Sequence, residues 1–230
     1  MNKWIFVFLI ALLCLHCAQP RVMVVTGGHD FDHKPFTAMF NSMKINWQEI
    51  EQPRANDMIA ADSTSQFDVL VFYDMYPDLT DAQKAGYLRL LQQGKGMVFL
   101  HHALVSYQEW PKFEKIIGGK YIQTAGPGET ASTYQHDVTV NLHVLDKTHP
   151  VTAGLDDFEL FDEVYGDFRV LPYITPLLTT DNPQSSPVIG WVHQYENSRI
   201  VFIQPGHGRE AYENPNFRRL LYQAIKWAKQ

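Results

Sequence analysis

Cysteine is almost missing from this sequence. Its 230 residues hold two, Cys14 and Cys17, both near the N-terminus. Beyond residue 17 there is no thiol, which excludes an intramolecular disulfide and a cysteine nucleophile there. Basic runs are missing too. Nineteen Lys and Arg stand against 25 Asp and Glu, a formal charge of −6, and no Lys/Arg stripe forms. Nucleic acid and an anionic membrane surface are therefore not expected partners. No GxGxxG or Walker sequence occurs, which argues against a dinucleotide or nucleotide phosphate site. No HExxH or other close-spaced ligand motif marks a metal.

Long apolar runs are also lacking. Residues 4–15, WIFVFLIALLCL, fall short of the roughly 20 residues needed to span a bilayer. With Lys3 ahead of it, this run suits the core of a signal peptide, with cleavage after Cys17 or Ala18. Lipidation of Cys17 is a second reading, although Cys14 stands where a lipobox usually has Leu; a buried N-terminal helix is a third. The expectation is an exported protein, periplasmic or envelope-associated. Residues 1–17 form the leader and residues 18–230 one domain without a transmembrane span. With 45% hydrophobic residues, that domain can bury a sizeable core.

What the chain has in quantity is histidine, ten residues in all. The strand pattern says where they fall. Residues 21–26, RVMVVT, form a β-branched run, and residues 67–73, FDVLVFY, another. Residues 97–100 and 199–203 are also buried strands, and residues 47–50 a short one. Apolar residues at Phe36, Met39, Phe40 and Met43 predict a helix face. Residues 80–93 predict a second helix, capped by Thr80, stopped by Gly94, and facing inward through Ala85, Leu88 and Leu91. Residues 217–229 predict a closing helix. Between them, residues 118–135 read as a loop excursion. Residues 135–145 alternate as a half-exposed antiparallel strand, and residues 158–165 and 187–193 continue a strand-rich insertion. The order implies an α/β fold, a mainly parallel sheet between two helix layers.

Ligands in such sheets bind beyond the C-terminal strand ends. There the chain places Gly28, His29 and Asp30; Tyr73 and Asp74; His101 and His102; and Gly206, His207 and Gly208. Separate strand ends carrying His predict a shared site. Imidazole moves protons near neutral pH without large perturbation. The same groups, as His29, His101 or His102, and His207 with a carboxylate, would also suit zinc or a similar divalent cation. His33, His136, His143, His149 and His193 receive surface or packing readings.

Seven stretches resemble one family: GGHDF (27–31), GKGMVFLHHAL (94–104), IIGGKY (116–121), THPVTAGL (148–155), FDEVY (161–165), PVIGWVHQYENSRIVFIQPGH (187–207) and FRRLLYQAIKWA (217–228). In order and spacing they resemble the ThuA-like, trehalose-utilisation family. That resemblance implies a flavodoxin-like, class I glutamine amidotransferase-like three-layer sandwich. Those amidotransferases carry a Cys nucleophile on the turn that here holds His101 and His102, so thioester glutaminase chemistry is excluded. The resemblance implies carbohydrate metabolism, with a glucoside or keto-glucoside as small-molecule partner. The expectation is an enzyme with catalytic His101, His102, Glu163 and His207. Gly28, His29, Asp30, Tyr73, Asp74 and Tyr165 would hold substrate. A non-catalytic sugar-binding or scaffold module is the alternative.

Overall fold

The computed structural model describes residues 19–229. The predicted leader, with Cys14 and Cys17, lies outside the described residues. The N-terminal half alternates strand and helix: β1 (Arg21–Gly27), α1 (His33–Asn41), β2 (Asn46–Glu51), α2 (Arg54–Ala60), β3 (Val69–Asp74), α3 (Asp81–Gln92) and β4 (Gly96–Leu100). A 3-10 turn (His101–Val105), α4 (Pro111–Ile117) and the short β5 (Gly119–Lys120) follow. Then come β6 (Thr133–Val144), β7 (Phe158–Gly166), β8 (Arg169–Val170), β9 (Thr175–Thr179), β10 (Val188–Tyr195) and β11 (Ser198–Ile203), closed by α5 (Arg209–Glu213) and α6 (Pro215–Ala228).

Nine strands form one sheet in the order β2-β1-β3-β4-β11-β10-β9-β6-β7. From β2 to β11 the neighbours run parallel. From β11 to β7 they run antiparallel. The strand-rich insertion thus extends the sheet. Uninterrupted apolar strands suit this position, because both faces are covered. Val22, Val24, Val69, Val71 and Val98 pack beneath α1, α5 and α6. Met23, Leu70, Phe72, Met97 and Phe99 pack beneath α2, α3 and α4. Alternate side chains therefore feed two cores.

Thr80 caps α3 in a full capping box with Gln83. The buried face of α3 is Gly86, Tyr87, Leu90 and Leu91; Leu88 packs partly against the core, and Ala85 is exposed. The reason is close packing: a Cβ at Gly86 would lie 2.6 Å from the Ile59 carbonyl oxygen of α2, so the helix turns its glycine to that contact. The alternation in β6 also breaks. A bulge lies between Gln135 and Val138, with Asp137 at φ +58°. Among the described residues, no helix is long and apolar enough to cross a membrane.

Candidate functional site

Three strand ends and the middle of β7 deliver the polar groups. After β1, Gly28 turns the chain at φ +80°. A Cβ there would lie 2.0 Å from the Met75 carbonyl oxygen, so the turn into His29 requires glycine. After β4, His101 opens the 3-10 turn at φ +42°. That left-handed backbone is uncommon without glycine, and such strain collects at functional positions. After β11, Gly206 at φ +125° sets the position of His207. β7 contributes Asp162 and Glu163 from the antiparallel half of the sheet.

Asp162 is buried and anchors the His207 loop. Its carboxylate accepts the backbone N–H groups of Gly206 (2.7 Å) and His207 (2.9 Å). Burial pushes its carboxyl up, against those hydrogen bonds and the nearby His101. Glu163 is the hub. Its Oε2 lies 2.7 Å from His101 Nε2 and 2.9 Å from His207 Nδ1. Its Oε1 lies 3.4 Å from His136 Nε2. Burial raises the Glu163 carboxyl, but the hydrogen bonds and charges of His101 and His207 outweigh it and hold it well below the usual carboxylate range. The same hydrogen bond raises His207 above an ordinary imidazole, against partial burial.

His101 is fully buried. Its Nδ1 donates to the Gln204 carbonyl at 2.6 Å, since a carbonyl oxygen only accepts. Its Nε2 also meets the Tyr165 hydroxyl at 3.1 Å and His207 Nδ1 at 3.2 Å. His102 is 2% exposed, and neither of its ring nitrogens has a hydrogen-bond partner among the described residues. Burial, then the neighbouring imidazoles, push it well below an ordinary histidine. His29 stacks on it with ring centroids 3.9 Å apart, and burial lowers His29 as well.

A cavity of about 290 Å³ opens on this cluster. His29, His102, His136, Glu163 and Tyr165 form its polar wall, and Tyr121 and Tyr134 add aromatic surface. His101 and His207 stand behind that wall, holding Glu163. An adjoining hollow of about 310 Å³ is lined by Gly28, His29, Asp30 and Glu51. Gly28 and Asp30 therefore face the neighbouring space and share only the His29 wall.

Two expected substrate contacts lie elsewhere. Tyr73 is buried under the His207 loop; its hydroxyl donates to the His207 carbonyl at 3.0 Å and meets Tyr212 at 2.6 Å. It supports the site from below. Asp74 is buried on the opposite side of β3. It accepts from Gln52 (2.8 Å) and Tyr107 (3.1 Å). The alternation of a strand explains both: consecutive residues cannot face one cavity.

The ThuA model, described as trehalose utilisation, matches residues 21–228. The chain belongs to the ThuA family. No curated protein matches it by sequence. A ThuA-like protein of Parabacteroides merdae is similar in structure, with 21% identity, 92% of this chain and 90% of that one covered, and a TM-score of 0.75. A ThuA-like protein of Bacteroides uniformis has 20% identity, coverage of 91% and 92%, and a TM-score of 0.70. A GMP synthase protein of Thermoplasma acidophilum has 9% identity, coverage of 90% and 94%, and a TM-score of 0.54. At these identities the likeness is one of fold, the glutamine amidotransferase-like fold. In this ThuA chain His101 and His102 follow β4 directly.

Several cavity residues escape a reading of the sequence. A packing role is the natural one for His136, yet its ring lies 4.8 Å from His207 and its Nε2 faces Glu163. The signal is the clash between β alternation and the Gln135-His136-Asp137 triplet, where the bulge forms. Tyr121 ends the IIGGKY stretch, but Gln123 and Tyr134 carry no local motif; a loop brings the first two to the cavity and the bulged strand the third. Two further histidines hold structural posts. His193 Nε2 donates to the Ile116 carbonyl at 2.9 Å, and His143 pairs with Asp157 at 3.1 Å on the surface.

Proposed function

We propose that this chain is an exported enzyme acting on a small glucoside or keto-glucoside in the cavity beside Glu163. One observation carries the reading: a buried carboxylate, gripped by His101 and His207 from behind, forms part of a small cavity wall. The family's link to trehalose utilisation supports a sugar. The volume lies at the low end of ligand pockets, roughly 300–1,000 Å³, and so suits one or two sugar rings. Tyr134, 61% exposed, offers an open aromatic face to a pyranose.

The roles divide by position. Glu163 and His102 meet the substrate oxygen, and His101 and His207 hold Glu163 as positioning residues. His136 and His29, both reaching solvent, carry the proton to and from the reacting hydroxyl or carbonyl. Tyr134 and Tyr165 hold the ring. A binding module would need the aromatic wall only. Burying a carboxylate among imidazoles costs desolvation that such a module gains nothing from. For export, the support is Lys3 and the apolar residues 4–15, with a free or Cys17-anchored mature chain.

The test is conversion of a panel of disaccharides and 3-keto-glucosides, followed by NMR. The purified chain is expected to turn over at least one. Tyr134→Ala should raise KM about 10-fold with kcat little changed, the loss of about 1.4 kcal/mol of ring contact. His136→Ala should lower kcat by about 100-fold. A sugar that binds without conversion would replace the enzyme reading by the binding module. A panel that neither binds nor reacts would refute both.

A further inference from the structure

We propose that His101, His102, His207 and Glu163 form the binding centre of one divalent transition-metal cation, zinc or a close relative. The inference names what the site assigned above holds, and it can stand or fall without any sugar. It rests on four observations.

The first is convergence. The four residues each offer one ligand atom, and these atoms all lie within 4.8 Å of one another. They come from the ends of β4 and β11 and from β7, so the sheet fixes their spacing.

The second is spacing. His101 Nε2, His207 Nδ1 and Glu163 Oε2 are separated by 2.7, 2.9 and 3.2 Å. Atoms sharing a tetrahedral cation at bonds of 2.0–2.2 Å stand about 3.3–3.6 Å apart. The triangle is thus contracted relative to a coordinated set and opens slightly when a cation enters.

The third is orientation. His101 Nδ1 donates to the Gln204 carbonyl, which leaves Nε2 as the nitrogen turned to Glu163 Oε2 at 2.7 Å and to His207 Nδ1 at 3.2 Å. The bond from Nδ1 to a backbone carbonyl is also the usual way a ligating imidazole is oriented.

The fourth is His102. It is 2% exposed, and both its nitrogens lack partners among the described residues. Leaving such groups unmet is costly, and coordination removes that cost for one of them.

The donor set chooses the metal. Three imidazoles and one carboxylate suit zinc, cobalt, nickel or iron(II); without thiolate they do not favour copper(I), and with three nitrogens they do not favour calcium or magnesium. Compared with the set expected from sequence, His29 leaves and His102 and Glu163 enter. His29 stacks on the face of His102 and acts as its packing partner. The cavity touches both His102 and Glu163, so a cation held by the four residues would lie at the cavity wall.

The test is titration of the full, chelator-treated chain with Zn²⁺ and with Co²⁺, read by calorimetry, the cobalt visible spectrum and thermal melting. The wild type should bind one equivalent, change the cobalt spectrum and melt higher. His207→Ala and Glu163→Gln should weaken binding by more than about 100-fold; His207→Asn serves if the alanine variant does not fold. His29→Ala should keep the full equivalent. His143→Ala should keep it as well, which excludes surface uptake by His143, Asp157 and Asp181. A wild type that binds no more tightly than His207→Ala overturns the proposal, as does an equivalent lost with His143. Metal bound without sugar turnover sinks only the enzyme reading; sugar turnover by a chain that takes up no metal sinks only the metal centre.

Discussion

Glu163→Gln is expected to lower turnover by about 10²–10⁴-fold while leaving the chain folded. Glutamine keeps the shape and one acceptor oxygen, so His207 Nδ1 still has a partner. It removes the negative charge that His101 and His207 both face at 2.7 and 2.9 Å. The substrate then meets an amide with no capacity to take or stabilise a proton. Hydrogen bonds to a charged partner are worth about 1.5–3 kcal/mol. The melting temperature should therefore fall by several degrees, since 1 kcal/mol corresponds to about 2–4 °C in a chain of this size. Kinetics of the best sugar substrate, with circular dichroism of the same sample, check both parts. A variant within threefold of wild-type turnover removes Glu163 from the chemistry.

Asp74→Asn should stabilise the protein, and only at higher pH. Asp74 sits in a buried polar cluster with Gln52, Asn56, Tyr87 and Tyr107. Burial pushes its carboxyl up to about 6 from an ordinary value of 3.8, against the hydrogen bonds of Gln52 and Tyr107. A raised folded-state value means that folding favours the protonated acid. Its stability contribution is complete below pH 4 and is lost as the pH rises through about 6. A rise of that size corresponds to about 3 kcal/mol of lost stability at pH 8. Asparagine is neutral throughout, and its oxygen can accept the same two hydrogen bonds. The variant should melt several degrees above wild type at pH 8 and converge with it near pH 4. Equal melting temperatures at pH 8 would contradict this.

The fold is largely legible in the sequence because its central strands are plain. RVMVVT, FDVLVFY, GMVFL and RIVFI are apolar almost throughout, which a doubly covered sheet explains. Thr80 and Gln83 announce the start of α3 by chemistry alone. Helices α2 and α4 are not foreseen: RANDMIA and PKFEKII are seven residues each, too short for a helical period to stand out. The strand-end rule gathers His29, His102 and His207, and the FDEVY resemblance adds Glu163, which lies beside them in the structure. The rule fails for Tyr73 and Asp74, because it gives the end of a strand but not the face. Nor can it find His136 or Tyr134. Those positions depend on a bulge, one extra residue that reverses which side of β6 faces the cavity.

If the chain acts on a sugar beside Glu163, that sugar has one place to sit. A crystal of the chain soaked with a 3-keto-glucoside tests this most directly. The expected result is the sugar in the 290 Å³ cavity, its ring against Tyr134 and an oxygen within hydrogen-bond reach of Glu163. A sugar held instead in the hollow of Gly28 and Asp30, away from Glu163, would contradict it.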